Sequence, residues 1–181
     1  MISRVALFFL HGSGDNGNNF KYYLETIPLT KQFNYQTFKQ FLINQKDYFY
    51  ELYTPSSPII SYSPAGGEKF SVWYDRSPNF TEKGIDDIED IEGINKSLQQ
   101  IINQIKNIEN QYDHIFIGGF SMGGGLALHC LRYKMISSKI RGIFTMGSFL
   151  VQHSAVLEMS LDNNKHKKNN IPVLMMHGIQ L

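Results

Sequence analysis

Ser121 lies in Gly119-Phe120-Ser121-Met122-Gly123, a G-x-S-x-G pattern, with His114-Ile115-Phe116-Ile117 before it and Leu126-Ala127-Leu128-His129-Cys130-Leu131 after it. A strand that turns through flanking glycines into a helix lifts such a serine clear of the sheet. The helix N-terminus beneath it favours the negative charge that forms during attack. The chemistry these residues could do is acyl transfer, with Ser121 as nucleophile. A hydroxyl is a weak nucleophile and needs a base, usually a histidine oriented by Asp or Glu. The histidines after Ser121 are His129, His153, His166 and His177. His129 sits eight residues along the same helix, pointing away from the turn, and reads as a packed residue. His153 and His166 fall in helix and loop segments without a supporting pattern, and His177 ends a strand. None of them has the setting of a general base.

A second stretch, Gly12-Ser13-Gly14-Asp15-Asn16-Gly17, fits G-x-G-x-x-G and follows the apolar run Val5 to Leu10. Two chemistries share that form: a cradle for a dinucleotide pyrophosphate, and a loop whose backbone N–H groups meet an oxyanion. The dinucleotide reading expects an acidic residue about 20 positions later, on the ribose. The chain has Lys31-Gln32-Phe33-Asn34-Tyr35-Gln36-Thr37 there, and Asp15 would repel a pyrophosphate. The loop therefore reads as an oxyanion loop, with Asp15 bonding its own backbone. No His/Asp/Glu cluster has metal-ligand spacing, and neither a metal nor another cofactor is expected.

Elements must position these two loops. Five apolar runs read as strands: Arg4 to Leu10, Tyr48 to Tyr53, His114 to Phe120, Gly142 to Met146, and Pro172 to His177. Most are continuously apolar, as in a parallel sheet covered on both faces. Ile85, Ile88, Ile91, Ile94, Leu98, Ile101, Ile105 and Ile108 recur every three or four residues and predict a helix with a core-facing stripe. Asp86, Asp87, Glu89 and Asp90 crowd its expected first turns, where the helix dipole favours them. Alternating strands and helices predict an open α/β sheet, in which function gathers at the carboxyl ends of strands. Both glycine-rich loops fall there. Thr54 to Ser71, rich in Pro, Ser and Gly, reads as a loop leading into Val72-Trp73-Tyr74-Asp75.

Composition narrows the partners. At 181 residues the chain is expected to form a single domain, 1–181. Its net charge of +1 offers nothing to nucleic acid or an anionic membrane. Lys165-His166-Lys167-Lys168 reads as a solvated loop. The single cysteine, Cys130, lies in an apolar helical run and reads as an inert buried thiol, and its isolation favours a reducing, cytoplasmic setting. The N-terminal apolar run is short for a signal peptide and far short of a membrane span.

Taken together, these motifs resemble the acyl-protein thioesterase and carboxylesterase family of serine hydrolases, most closely its lysophospholipase-like branch. The matching pieces are Phe9 to Asp15, the Tyr53-to-Pro64 loop, Trp73-Tyr74-Asp75-Arg76, Gly118 to Gly124, and Pro172 to Gly178, in family order. The resemblance implies an α/β-hydrolase fold with a mostly parallel, doubly wound sheet. It implies Ser121 as nucleophile, the N–H groups of Ser13 and Met122 as the oxyanion hole, and a substrate-binding loop around Trp73 that helps shape the acyl groove. It further implies acylated proteins or small acyl esters as substrates, with at most transient membrane-surface contact through lipidated substrates. One departure is plain. In the family, the late His-Gly is soon followed by the catalytic aspartate and later by the histidine. Here His177-Gly178 is followed by Ile179-Gln180-Leu181 alone. The triad Asp and His, with the last strand and helix, are thus expected to be missing from a C-terminally truncated chain that is at best feebly active. The alternative expectation is a non-catalytic acyl-binding or regulatory product.

Overall fold

A computed structural model describes residues 2–29, 36–133, 136–161 and 171–178. The Lys165–Lys168 run and His166 lie outside them. Five strands form one parallel sheet: β1 (Ser3–Leu10), β2 (Tyr48–Tyr53), then, after a small hairpin, β5 (His114–Phe120), β6 (Ile140–Met146) and β7 (Val173–Met176), in the order β2-β1-β5-β6-β7. Each strand expected from an apolar run is present. The register places Leu10 beside Gly119 and Phe120 beside Met146, so the two glycine-rich loops leave the sheet next to one another.

Strand alternation distributes β1 between two layers. Ala6, Phe8 and Leu10 join the main core with Ile94, Leu98, Ile101 and Ile105 of α4 (Ile91–Ile108) and Met122 and Leu126 of α5 (Met122–His129). Phe9 points to the opposite face, where it meets Phe20 and Leu24 of α1 (Gly17–Thr26), with Phe38 of α2 (Phe38–Ile43) beside them. Among the described residues no helix is long and apolar enough to cross a membrane.

Two local expectations are corrected. The isoleucine stripe does not begin the helix at Ile85: Ile85 and Ile88 are 57% and 75% exposed, and α4 starts at Ile91. The acidic residues before it serve tertiary donors rather than a first helical turn. Asp87 accepts from the amide and hydroxyl of Ser77, and Glu89 accepts from buried His129 at 2.9 Å and from the amide of Ala155, the first residue of α6 (Ala155–Leu161). Asp90 alone caps α4, accepting from Gly93 N at 2.9 Å. The segment Thr54–Ser71 is also more than a loop, since it contains an antiparallel hairpin of β3 (Ile59–Ser61) and β4 (Lys69–Ser71). A four-residue helix, α3 (Phe80–Lys83), follows it.

Candidate active site

Among the described residues, Ser121 is the one non-glycine with positive φ, at φ 51° and ψ −120°. A side chain in this region is strained, and such strain persists only where the surroundings over-determine it. Here they do. Ser121 N donates to Met146 O at 2.9 Å, and Ser121 O accepts from Gly124 N at 3.0 Å and Gly125 N at 3.2 Å. Two glycines permit the close approach. A Cβ on Gly119 would sit 2.2 Å from the Gly123 carbonyl carbon, and one on Gly123 would sit 2.4 Å from Leu10 O and 2.5 Å from His11 O. The sharp turn expected from G-x-S-x-G is therefore present, with Ser121 at the N-cap of α5 and its side chain not spent on capping.

The loop after β1 crosses directly over this turn. A methyl group on Gly12 would lie 3.4 Å from Ser121 Cβ, and the Ser13 hydroxyl donates to Met122 Sδ at 3.7 Å. Ser13 and Met122, distant in sequence, are thus adjacent. Ser13 is exposed and Met122 is fully buried, which leaves one wall of the site open. Asp15 accepts from the following amide, Asn16 N, at 2.8 Å, and Asn16 in turn caps α1 by accepting from Asn19 N.

His11 holds this loop in place. It is fully buried; its Nε2 accepts from Ser57 N at 3.0 Å, so its Nδ1 carries the hydrogen and donates to Gly12 O at 2.7 Å. Burial holds the imidazole below its usual pKa, in the neutral form. A histidine with a depressed folded-state pKa is fully stabilising above the unfolded value near 6.5, and the contribution is lost as pH falls through the folded value. The urea midpoint should therefore fall between about pH 7.5 and about pH 5.5, and His11→Asn should flatten that slope. An unchanged slope in the variant would remove His11 from the account.

Trp73 lies beneath the same loop. It is fully buried, its indole N–H donates to His11 O at 2.8 Å, and its own carbonyl accepts from the Ser97 hydroxyl on α4. It ties the loop bearing Ser13 to the core, and it also lines a cleft of about 280 Å³ together with Pro58, Ile60 and Gly93. An apolar cleft of about 400 Å³ does lie beside that loop, lined by Phe9, Phe20, Tyr23, Leu24, Phe120 and Met146 among others. The alternation of Phe9 to the α1 face is the one sequence signal that points to it.

His129 and His177 are engaged elsewhere. His129 Nε2 pairs with Glu89 and its Nδ1 faces Arg132, as suits a packed residue. His177 Nε2 faces the carbonyl of Ser148. Among the described residues no imidazole bonds to the Ser121 hydroxyl. Cys130 is buried and its thiol is pushed up to about 12 by that burial, so it is not a competing nucleophile.

A family model described as phospholipase/carboxylesterase matches residues 3–180. Lysophospholipase-like protein 1 of Mus musculus is 29% identical over 154 residues, which are 85% of this chain and 58% of the mouse protein. Acyl-protein thioesterase 1 of Debaryomyces hansenii is 27% identical over 182 residues, covering 97% of this chain and 69% of that one. The crystal structure of Zea mays acyl-protein thioesterase 2 superposes with a TM-score of 0.65 at 21% identity, over 98% of this chain and 72% of that one. The α/β-hydrolase expectation is met, and the chain spans little more than half of the mouse relative's length.

Proposed function

Because the chain belongs to the phospholipase/carboxylesterase family, we propose that it is a serine hydrolase of carboxylic esters or thioesters, acting through an acyl-enzyme on Ser121. The observation that carries the proposal is the strained Ser121 turn at the start of α5, beneath the Gly12–Ser13 loop. In this reading the Ser121 Oγ attacks the substrate carbonyl. The N–H groups of Ser13 and Met122 take the developing oxyanion, at the positive end of α5. Collapse of the tetrahedral species expels the alcohol or thiol, which leaves with the proton of the serine hydroxyl, and water then releases the acid. By analogy with its named relatives, the substrates are acylated proteins, lysophospholipids or smaller acyl esters, and no cofactor takes part.

A second reading is favoured by one observation: an apolar cleft of about 400 Å³ adjoins Ser13. Such a cleft suits a non-catalytic acyl-binding protein, and an oxyanion hole without a base retains only residual catalysis.

A fluorophosphonate probe separates the two. The hydrolase reading expects one phosphonyl adduct by intact mass, located on Ser121 and absent from Ser121→Ala. A folded sample that acquires no adduct overturns it and leaves the binding reading.

A further inference from the structure

In the hydrolase reading Ser13 N–H is an oxyanion donor, yet Ser13 stands between Gly12 and Gly14, and glycine leaves a chain free to swing unless something outside holds it. Both peptide units that flank Ser13 are held. No peptide bond among the described residues is cis, so the C=O and N–H of one planar unit point in opposite directions, and fixing one fixes the other. In the Gly12–Ser13 unit, Gly12 O accepts from His11 Nδ1 at 2.7 Å, which aims the Ser13 N–H the opposite way. In the Ser13–Gly14 unit, Gly14 N donates to Ser71 O at 2.8 Å. Gly14 then turns the chain at φ 81°, and Asp15 O comes back to accept from the Ser71 hydroxyl at 2.5 Å.

We propose that Ser71, the last residue of β4, is a positioning residue for the oxyanion hole, gripping the loop by its carbonyl at Gly14 and by its hydroxyl at Asp15. The proposal rests on the hydrolase reading. Ser71 is itself locked in place. A hydroxyl has one hydrogen to give. That of Ser71 goes to Asp15 O, a pure acceptor, so the 2.8 Å contact between the Ser57 and Ser71 hydroxyls is donated by Ser57. The amide of buried Ser57 donates to His11 Nε2 at 3.0 Å and so leaves Nδ1 as the donor to Gly12 O. Ser57 thus stands behind both anchors, one on each side of Ser13.

The hairpin does not need these bonds for its own sake. Its ladder pairs Ile59 with Ser71, Ile60 with Phe70 and Ser61 with Lys69, and Val72 N closes it on Pro58 O. The Ser71 hydroxyl takes no part in that ladder; its bonds go to Asp15 O and to Ser57. An oxyanion hole works because its donors are in place before charge develops, so no reorganisation is needed at the moment of reaction. A donor that must first be brought into line adds to the barrier of the chemical step and not to the binding of the ground state. Loss of the brace therefore has a kinetic signature that a loss of folding alone does not share.

The test follows phosphonylation of Ser121 by a fluorophosphonate against probe concentration. Ser71→Ala should lower the limiting rate by about tenfold, part of the roughly 100-fold that loss of one oxyanion donor costs, and leave the half-saturating concentration unchanged. Ser71→Thr, which keeps the hydroxyl, should recover most of that rate. Ser57→Ala should slow labelling less and add nothing to Ser71→Ala, because its hydroxyl acts through Ser71. In hydrogen exchange, the Gly14 amide should open faster in Ser71→Ala while the α5 amides keep their wild-type rates, a contrast that general destabilisation does not produce. A Ser71→Ala chain with the wild-type limiting rate, or with unchanged exchange at Gly14, overturns the proposal. So does a Ser71→Thr chain as slow as Ser71→Ala, or slowing that adds in the double variant. A wild-type chain that takes no adduct overturns the hydrolase reading, and this proposal with it; wild-type labelling together with any of the outcomes above overturns this proposal alone.

Discussion

Gly123→Ala should destabilise the protein by about 3 kcal/mol, at the upper end for overpacking, although alanine is the better helix former by about 1 kcal/mol. The sign is decided by what the new methyl meets. It would lie 2.4 Å from Leu10 O and 2.5 Å from His11 O, both backbone atoms, and neither can rotate aside. Relief requires α5 to back away from the end of β1, which separates the Met122 amide from the Ser13 amide. In the hydrolase reading, fluorophosphonate labelling should slow by about 100-fold, the effect of losing one oxyanion donor. Gly125→Ala is the control, because its methyl would meet the Tyr74 hydroxyl at 2.8 Å and backbone only at an ordinary contact distance, 3.6 Å from Phe149 O. Urea unfolding of both variants tests the claim; equal midpoints for the two would refute it.

The second large effect is expected at Trp73. Trp73→Ala should cost about 3–5 kcal/mol, the usual range for deleting a fully buried large aromatic. The more informative variant is Trp73→Phe, which keeps most of the ring volume but removes the N–H that satisfies His11 O. A buried carbonyl left without its donor costs about 1–3 kcal/mol. It also frees the loop that carries Ser13, so labelling of Ser121 should slow even at temperatures where the variant remains folded. A variant with lowered stability but an unchanged labelling rate would show that Trp73 supports the core alone.

The two chemical loops were legible because they rest on residue types with few alternatives. Glycines beside Ser121 predicted a turn that only glycine allows, and the close contacts of Gly119 and Gly123 supply the reason. The continuously apolar runs predicted the parallel strands because both faces of that sheet are expected to be covered. What local pattern could not show was where a side chain spends its polar groups. Asp87 and Glu89 looked like a favourable first helical turn, yet they reach Ser77 and His129, partners distant in sequence. The bond from the Trp73 indole N–H to His11 O was hidden in the same way, because sequence order does not tell which side of a loop faces inward. The hairpin after β2 was hidden by its turn-rich composition and by strands of only three residues.

All eight residues of α5 are buried. At its three glycines there is no room for a side chain: a Cβ would run into Leu10 O and His11 O, the Ser148 hydroxyl or the Tyr74 hydroxyl. Such a helix behaves as an anvil: it cannot slide, tilt or rotate without driving atoms into neighbouring backbone. In the hydrolase reading, variation in substrate preference would therefore accumulate in the parts that touch it lightly, namely the hairpin and the exposed rim of α1, while the position of the serine stays constant. In hydrogen exchange, the α5 amides should behave as part of the slowest-opening unit of the molecule, and the hairpin should open long before them.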